Sequence, residues 1–368
     1  MINLKFFPSR NLAFYMVRLF LTRSFAVLIA LVLVLMTLDL LGESGKILAV
    51  QGNGDAELWR YVGLRLPLLI SRFLPFSVLL GTLIAFVGLN QHSEVVAMKA
   101  AGLSAHQILA PLILASIGIA AALFAFNEGV VVKSARVVNA WSDNDYKPIP
   151  PQSGILGNVW ILNGDDDLIR VGIVAGQGAR LTAQGLTIYD RAGGVLQRVI
   201  QADRAVQDPA GHDWLLSNVR IYSADMNAVR NVPQMRGLAG VTPAQLTLAK
   251  VSPDELDYWT LKKRIAELEA AGRPADEARA GLAHKISGPL STLLMPLLAA
   301  IAAFGLARSG QVLFRAVSGM ALGFAYFVAD NFSLAMGNAG AYPPMVAAWA
   351  PFILFLLIGE TVLIRTEE

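Results

Sequence analysis

The stretch Phe25-Ala-Val-Leu-Ile-Ala-Leu-Val-Leu-Val-Leu-Met-Thr-Leu38 holds no charged residue and no Gly, Pro, Asn or Asp to make a turn. It completes an apolar run that begins at about Phe14, and a helix of roughly 20 such residues crosses the hydrocarbon core of a bilayer. The upstream part contains Arg18 and Arg23. These are costly at mid-membrane but snorkel to the interface from the cytoplasmic end of a span. A basic start before an apolar run superficially resembles a secretory signal. The run is too long for one and lacks a small-x-small cleavage site, so it reads as a retained anchor.

Working outward, six stretches approach or exceed spanning length: Leu12–Leu38, Tyr61–Leu89, Ala105–Phe126, Ile286–Leu306, Leu313–Met336 and Met345–Ile364. The composition agrees. Of 368 residues, 55% are hydrophobic and only 15% charged, and the mean hydropathy is +0.53, more than a soluble surface tolerates. The net charge is +3 and the pI about 9.1. Lys and Arg are scattered without interleaved aromatics, so no nucleic-acid partner is expected. With no cysteine there is no disulfide framework, Cys-zinc site or thiol chemistry. The four scattered histidines compose no metal cage.

Basic residues flank the spans on one side: Lys5, Arg10, Arg18 and Arg23 before the first, Lys99 after the second, Arg308 and Arg315 after the fourth, and Arg365 after the sixth. By the positive-inside rule this predicts a multi-pass inner-membrane protein with both termini cytoplasmic. Between the third and fourth spans, residues 127–283 turn polar and rich in Gly, Asn and Asp. Leu186–Tyr189, Val195–Ile200 and Trp214–Tyr222 are β-branched and aromatic runs bounded by turn residues, which predicts an extracytoplasmic all-β unit of sandwich, jellyroll or related type. From Pro253 to about Ala271 the pattern becomes helical, with Ser252 as cap and Glu255 at capping-box spacing. The expected division is therefore residues 1–126 with spans one to three, 127–283 as the β domain with its connecting helix near 253–271, and 284–368 with spans four to six.

Gly42-Glu-Ser-Gly-Lys46 looks like part of a phosphate loop. The first Gly of that motif would fall on Leu40, and Ile47 stands where a hydroxyl is needed for magnesium. No ATP site and no other cofactor is expected in this chain. Residues 91–104 are more informative. Val95, Met98 and Gly102 recur at helical spacing, Ser93 is placed to cap, and Gly102 to terminate. A short amphipathic helix between two spans can fill a groove on a soluble partner, with Glu94 meeting a basic residue there. The same pattern also fits a connector lying on lipid headgroups.

The string Ser93-Glu-Val-Val-Ala-Met-Lys-Ala-Ala-Gly-Leu-Ser104 resembles the coupling helix of the LptF/LptG (YjgP/YjgQ) permeases of the lipopolysaccharide exporter. Its wording is nearer the LptG branch. The order of three spans, a large β domain and three spans, ending in Tyr342-Pro-Pro344 and Ala348-Trp-Ala-Pro351, is similar along essentially the whole chain. The resemblance implies an α-helical membrane protein with an inserted periplasmic β-jellyroll. It implies a noncatalytic transmembrane subunit of an ABC transporter that extracts lipopolysaccharide from the outer leaflet. The partners implied are an LptB-like ATPase dimer, an LptF-like paralogous permease, and LptC-like and LptA-like β-jellyroll proteins. On this resemblance Ser93, Glu94, Met98 and Gly102 make the coupling segment.

The family's lipid contacts include basic residues near the periplasmic end of the first span. Here that end, Thr37 to Lys46, holds one cation and two acids, a departure from the pattern. Lys46 is one lipid-contact candidate. Lys133 and Arg136, on one helical face by their i,i+3 spacing, are others, and surface charge on a connecting helix explains the latter pair equally well. Gly319-Met-Ala-Leu-Gly323 permits close helix packing, expected against a partner subunit. Asp330, in the same span, is either an ion-coupling acid or a group reaching water.

Two other classes compete with the exporter reading. A lipoprotein-releasing or MacB-like permease also uses a coupling segment, but it has four spans and its large domain after the first. A membrane-embedded enzyme would need a His-Glu-x-x-His, a Gly-x-Ser-x-Gly or a carboxylate pair within a span, and none is present.

Overall fold

In lipid every backbone N–H and C=O needs a partner inside the chain, which leaves the helix as the form an apolar run can take. The computed structural model describes residues 8–147, 156–163, 167–176, 181–192, 195–207, 213–223, 229–238, 240–242, 246, 251–270, 274–304 and 312–365. It divides into two units, one of residues 1–39, 66–131 and 257–368, the other of residues 40–65 and 132–256.

The helices are α1 (Arg10–Leu48), α2 (Asp55–Gln91), α3 (Glu94–Ala100), α4 (Ala105–Phe126), α5 (Val132–Asp143), α6 (Tyr258–Ala270), α7 (Asp276–Phe304), α8 (Val312–Asn338) and α9 (Pro344–Arg365). One π-helical turn, Asn127–Val131, carries α4 into α5. Among the described residues, four stretches are long and apolar enough to cross a membrane: α1, α2, Ala105–Asp143 and α9. The α7 and α8 helices, of 29 and 27 residues, overlap the fourth and fifth apolar runs. Three hydroxyls in these helices return to their own backbone: Thr37 donates to the Leu33 carbonyl at 2.8 Å, Thr82 to Val78 at 2.7 Å and Ser116 to Leu112 at 2.9 Å.

The core of the first unit is built from Met16 and Phe20 of α1, Val78, Leu79 and Phe86 of α2, Val95 and Met98 of α3, Ile108 and Leu112 of α4, Leu294 and Leu298 of α7, Tyr326 of α8 and Phe355 of α9. The opposite face of α1 is left uncovered, with Phe14, Phe25, Ile29, Leu33 and Leu38 all exposed. An apolar face of that extent suits lipid or another protein, not water.

The second unit holds one antiparallel sheet of six strands in sequential order: β1 (Leu156–Asn163), β2 (Asp167–Ala175), β3 (Thr182–Ala192), β4 (Val195–Gln207), β5 (Trp214–Ser223) and β6 (Val229–Gly237). Register follows the period-two alternation of side chains. Ile161, Ile169, Ile188, Ile200 and Ile221 stand in one cross-strand row, and Val159, Val171, Leu186, Ala202, Val219 and Val232 in the next. The opposite face carries the row Trp160, Arg170, Thr187, Gln201, Arg220 and Asn231. Pro233, which has no N–H to donate, sits on the edge strand β6. Trp214 is fully buried, its indole N–H donating to the Val241 carbonyl at 2.8 Å.

Two boundaries differ from the sequence reading. The first helix runs past Leu38 to Leu48, because Leu40, Leu41, Ile47 and Leu48 keep helical spacing through the two glycines and Ile47 is fully buried. Ser252 opens only a single 3-10 turn, Pro253–Glu255, and makes no side-chain cap. The helix proper starts at Tyr258, with Asp257 accepting the Thr260 N–H at 3.0 Å. Glu255 is buried instead of capping.

Candidate functional site

Short helices need local devices at both ends, since so few residues offset the cost of nucleation. At its C-terminus α3 has such a device. Gly102 adopts φ +86, its N–H bonds the Lys99 carbonyl at 2.9 Å, and the Leu103 N–H bonds the Met98 carbonyl at 3.1 Å. This is a Schellman closure, which favours glycine at that position. Ser93 does hold the N-cap position, but at φ +55 its hydroxyl makes no cap bond, which corrects the expected cap. The serine that caps is Ser104, in extended backbone at the start of α4. Its Oγ accepts the Gln107 N–H at 3.2 Å while Gln107 Oε1 accepts the Ser104 N–H at 3.0 Å, a reciprocal capping box.

Val95 and Met98 plant α3 in the core. The other side, with Val96 at 64% exposure, Ala97, Lys99 and Ala100, stands open and joins apolar residues to one cation. At the rim of the buried face, Glu94 accepts the Tyr15 hydroxyl of α1, at 3.1 Å to Oε2 and 3.3 Å to Oε1. No pattern in the sequence pointed to Tyr15, which lies 79 residues from its partner.

The three cation candidates separate. Lys46 is exposed and paired with Glu43 at 2.9 Å, and the same carboxylate accepts the Tyr146 hydroxyl at 2.7 Å. The Gly42–Lys46 string lies inside α1, so its amides belong to a helix and not to a phosphate cradle. Lys133 is exposed on α5. Arg136, one turn on, is partly buried and donates twice to the Glu255 carbonyl, from Nε at 3.1 Å and Nη2 at 2.8 Å. Asn139 adds a 3.0 Å bond to the Glu255 carboxylate. The i,i+3 pair therefore does not present two equivalent cations.

The close approach allowed by the Gly319/Gly323 spacing is made within the chain. Gly319 is buried, and a Cβ on Gly323 would stand 2.0 Å from the Leu79 side chain of α2, so this packing needs no second subunit. Asp330 of α8 faces His284 of α7, with Oδ2 3.9 Å from Nε2 and only 15% of the carboxylate side chain exposed. His284 Nδ1 lies 3.4 Å from the Ser287 hydroxyl. Arg308 and the side chain of Arg315 lie outside the described residues, as do the turns at 193–194 and 208–212.

Comparison with known proteins places this architecture. The family model described as "Lipopolysaccharide export system permease LptF/LptG" matches residues 14–365. The protein named "Lipopolysaccharide export system permease protein LptG" from Escherichia coli K12 is 27% identical over 333 residues, which is 86% of this chain and 88% of the relative. Its namesake from Haemophilus influenzae is 24% identical over 324 residues, 86% of this chain and 89% of the relative. With almost every residue inside the match, the chain belongs to the LptF/LptG family of lipopolysaccharide export system permeases.

Proposed function

We infer that this chain is the LptG-type permease of an ATP-driven lipopolysaccharide exporter, a noncatalytic inner-membrane subunit that binds no nucleotide or other cofactor. In this reading six helices span the membrane, α7 and α8 among them, with both termini cytoplasmic. Spans one to three lie within residues 1–126, a jellyroll-like periplasmic domain within 127–283, and spans four to six within 284–368. An LptB-like ATPase dimer docks on α3, and an LptF-like paralogue completes a lateral cavity lined in part by α1 and α8. Lipid leaves through the β domain toward LptC-like and LptA-like proteins. Lys46 and Lys133 are the exposed cations suited to an anionic glycolipid's phosphates, whereas Arg136 serves the backbone at Glu255.

The observation that carries the docking role is α3 itself. A helix anchored by Val95 and Met98, closed by Gly102, with Val96, Ala97, Lys99 and Ala100 exposed and a half-buried carboxylate at its start, fits a groove with a cation at its rim. The test is purification of the tagged chain in mild detergent followed by mass spectrometry. An ATPase, a paralogous permease and lipopolysaccharide are expected to travel with it. Recovery of the intact chain without ATPase or lipopolysaccharide overturns the assignment.

A further inference from the structure

Tyr15 belongs to α1, and its neighbour Met16 packs in the same core as Val95 and Met98 of α3. The ring lies at the rim of that contact, 41% exposed, where its hydroxyl reaches both oxygens of Glu94. Glu94 opens α3 directly after Ser93, whose left-handed backbone supplies no side-chain cap. Among the described residues, the Tyr15 phenol is the group that holds this carboxylate. A carboxylate offers about four lone-pair sites. One phenol therefore fixes its direction and leaves room for a bidentate guanidinium from outside.

We propose that Tyr15 is a positioning residue for ATPase docking: its hydroxyl presents the Glu94 carboxylate to a cationic side chain of the ATPase and ties the docked helix to α1. The inference rests on the docking reading of α3. Its physical content is twofold. A carboxylate already oriented loses less side-chain freedom on docking. And because α1 continues as one helix from Arg10 to Leu48, with its outward face apolar and exposed, a displacement of α3 is handed to a lipid-facing helix through a hydrogen bond as well as through packing. A phenylalanine at position 15 keeps the ring and the packing of Met16 and Phe20, and removes only the hydrogen bond.

The experiment is a double-mutant cycle on the full permease complex in nanodiscs, titrated with its purified ATPase subunit, using Tyr15→Phe, Glu94→Ala and the pair. Tyr15→Phe should weaken ATPase binding about three- to tenfold, the net worth of a typical hydrogen bond at a part-exposed position. Melting temperature and the KM for ATP should stay unchanged, and more ATP should be consumed per lipid released. Glu94→Ala should weaken binding by about thirtyfold or more, and the double variant should match Glu94→Ala alone, since the phenol acts through the carboxylate. If Glu94→Ala weakens docking while Tyr15→Phe is silent, or if the two effects multiply, the Tyr15 inference is wrong and the docking reading stands. If Glu94→Ala leaves docking intact, the docking reading itself is lost, and the inference with it. A lowered melting temperature in Tyr15→Phe with unaltered docking assigns the phenol to packing alone and also overturns the proposal.

Discussion

Lys285 of α7 places its ammonium 3.0 Å from Glu128 Oε1, in the π-helical turn after α4, with only 12% and 18% of the two side chains exposed. The other Glu128 oxygen accepts the backbone N–H of Tyr258, at the start of α6. Three separate segments of the first unit are thus joined at one carboxylate. Removing one member of a buried pair strands the other charge, a loss of about 3–5 kcal/mol. Lys285→Met and Glu128→Gln should each lower the melting temperature of the purified chain, and the double variant should recover much of the loss. Additive losses in the double variant would show that the two do not act as a pair.

Helix packing gives a second, sharper contrast. A Cβ on Gly81 would stand 2.4 Å from the Cα and 2.5 Å from the N of Ser24, both backbone atoms that cannot move without shifting α1. A Cβ on Gly323 meets side-chain atoms of the buried Leu79 and no backbone atom, so a shift of that one side chain relieves it. Gly81→Ala should therefore destabilise by at least about 1–3 kcal/mol, and Gly323→Ala by less, with Leu79→Ala relieving the latter only. The buried Ser24 hydroxyl has no hydrogen-bond partner among the described residues, so Ser24→Ala should be neutral or slightly stabilising. Thermal unfolding of the four variants in one detergent measures the order.

The contrast between what periodicity carries and what it does not is visible in these residues. Long apolar runs mark α1, α2, α4 and α9 because a bilayer imposes a length, and the β-branched runs 186–189, 195–200 and 214–222 fall within β3, β4 and β5. The end of α1 was illegible because Gly42-Glu-Ser-Gly45 reads as a turn, whereas burial of Ile47 in the second unit outweighs it. Ser93 and Ser104 are both plausible caps by composition, and only the backbone angle separates them. The partners of Glu94, Arg136 and Glu128 lie 79, 119 and 157 residues away. Such pairings leave no local pattern, so Glu94 can be singled out from its place at the start of a short amphipathic helix, and the phenol that holds it cannot.

Arg136 and Lys133 should give opposite phenotypes although they share a helix. Arg136 satisfies a carbonyl beside the buried Glu255, so Arg136→Ala should destabilise the second unit by about 1–3 kcal/mol, the cost of an unpaired buried acceptor. Lys133→Ala, at an exposed position, should leave stability unchanged. If it meets lipid phosphates, it should reduce lipopolysaccharide crosslinking to that position and slow release. Stability loss in Lys133→Ala, or none in Arg136→Ala, would reverse the assignment.

Orientation is tested with two exposed positions, Lys99 on α3 and Val229 on β6. On cells with a permeabilised outer membrane, Val229→Cys should react with an impermeant maleimide and Lys99→Cys only after lysis. The native chain has no cysteine, so the background is blank. The reverse labelling would place α3 outside and remove any cytoplasmic partner for it.

Charge reversal at Glu94 separates two roles by magnitude. A carboxylate at the first position of α3 favours the helix dipole by about 0.3–1 kcal/mol. Losing that much leaves the fold intact, because Val95 and Met98 hold α3 in the core and Gly102 closes it. Removing one member of a desolvated, hydrogen-bonded charge pair at an interface costs about 2–5 kcal/mol, roughly thirtyfold to several thousandfold in affinity. Glu94→Lys adds like-charge repulsion to that loss. The variant should insert and melt like the native chain, yet fail to retain its ATPase or hydrolyse ATP without exporting lipid. An acidic substitution at the ATPase cation that meets position 94 should restore part of the binding, which an effect confined to α3 does not allow. Normal binding, hydrolysis and export by Glu94→Lys would instead make α3 a connector lying on the headgroups, with its carboxylate serving only the helix it begins.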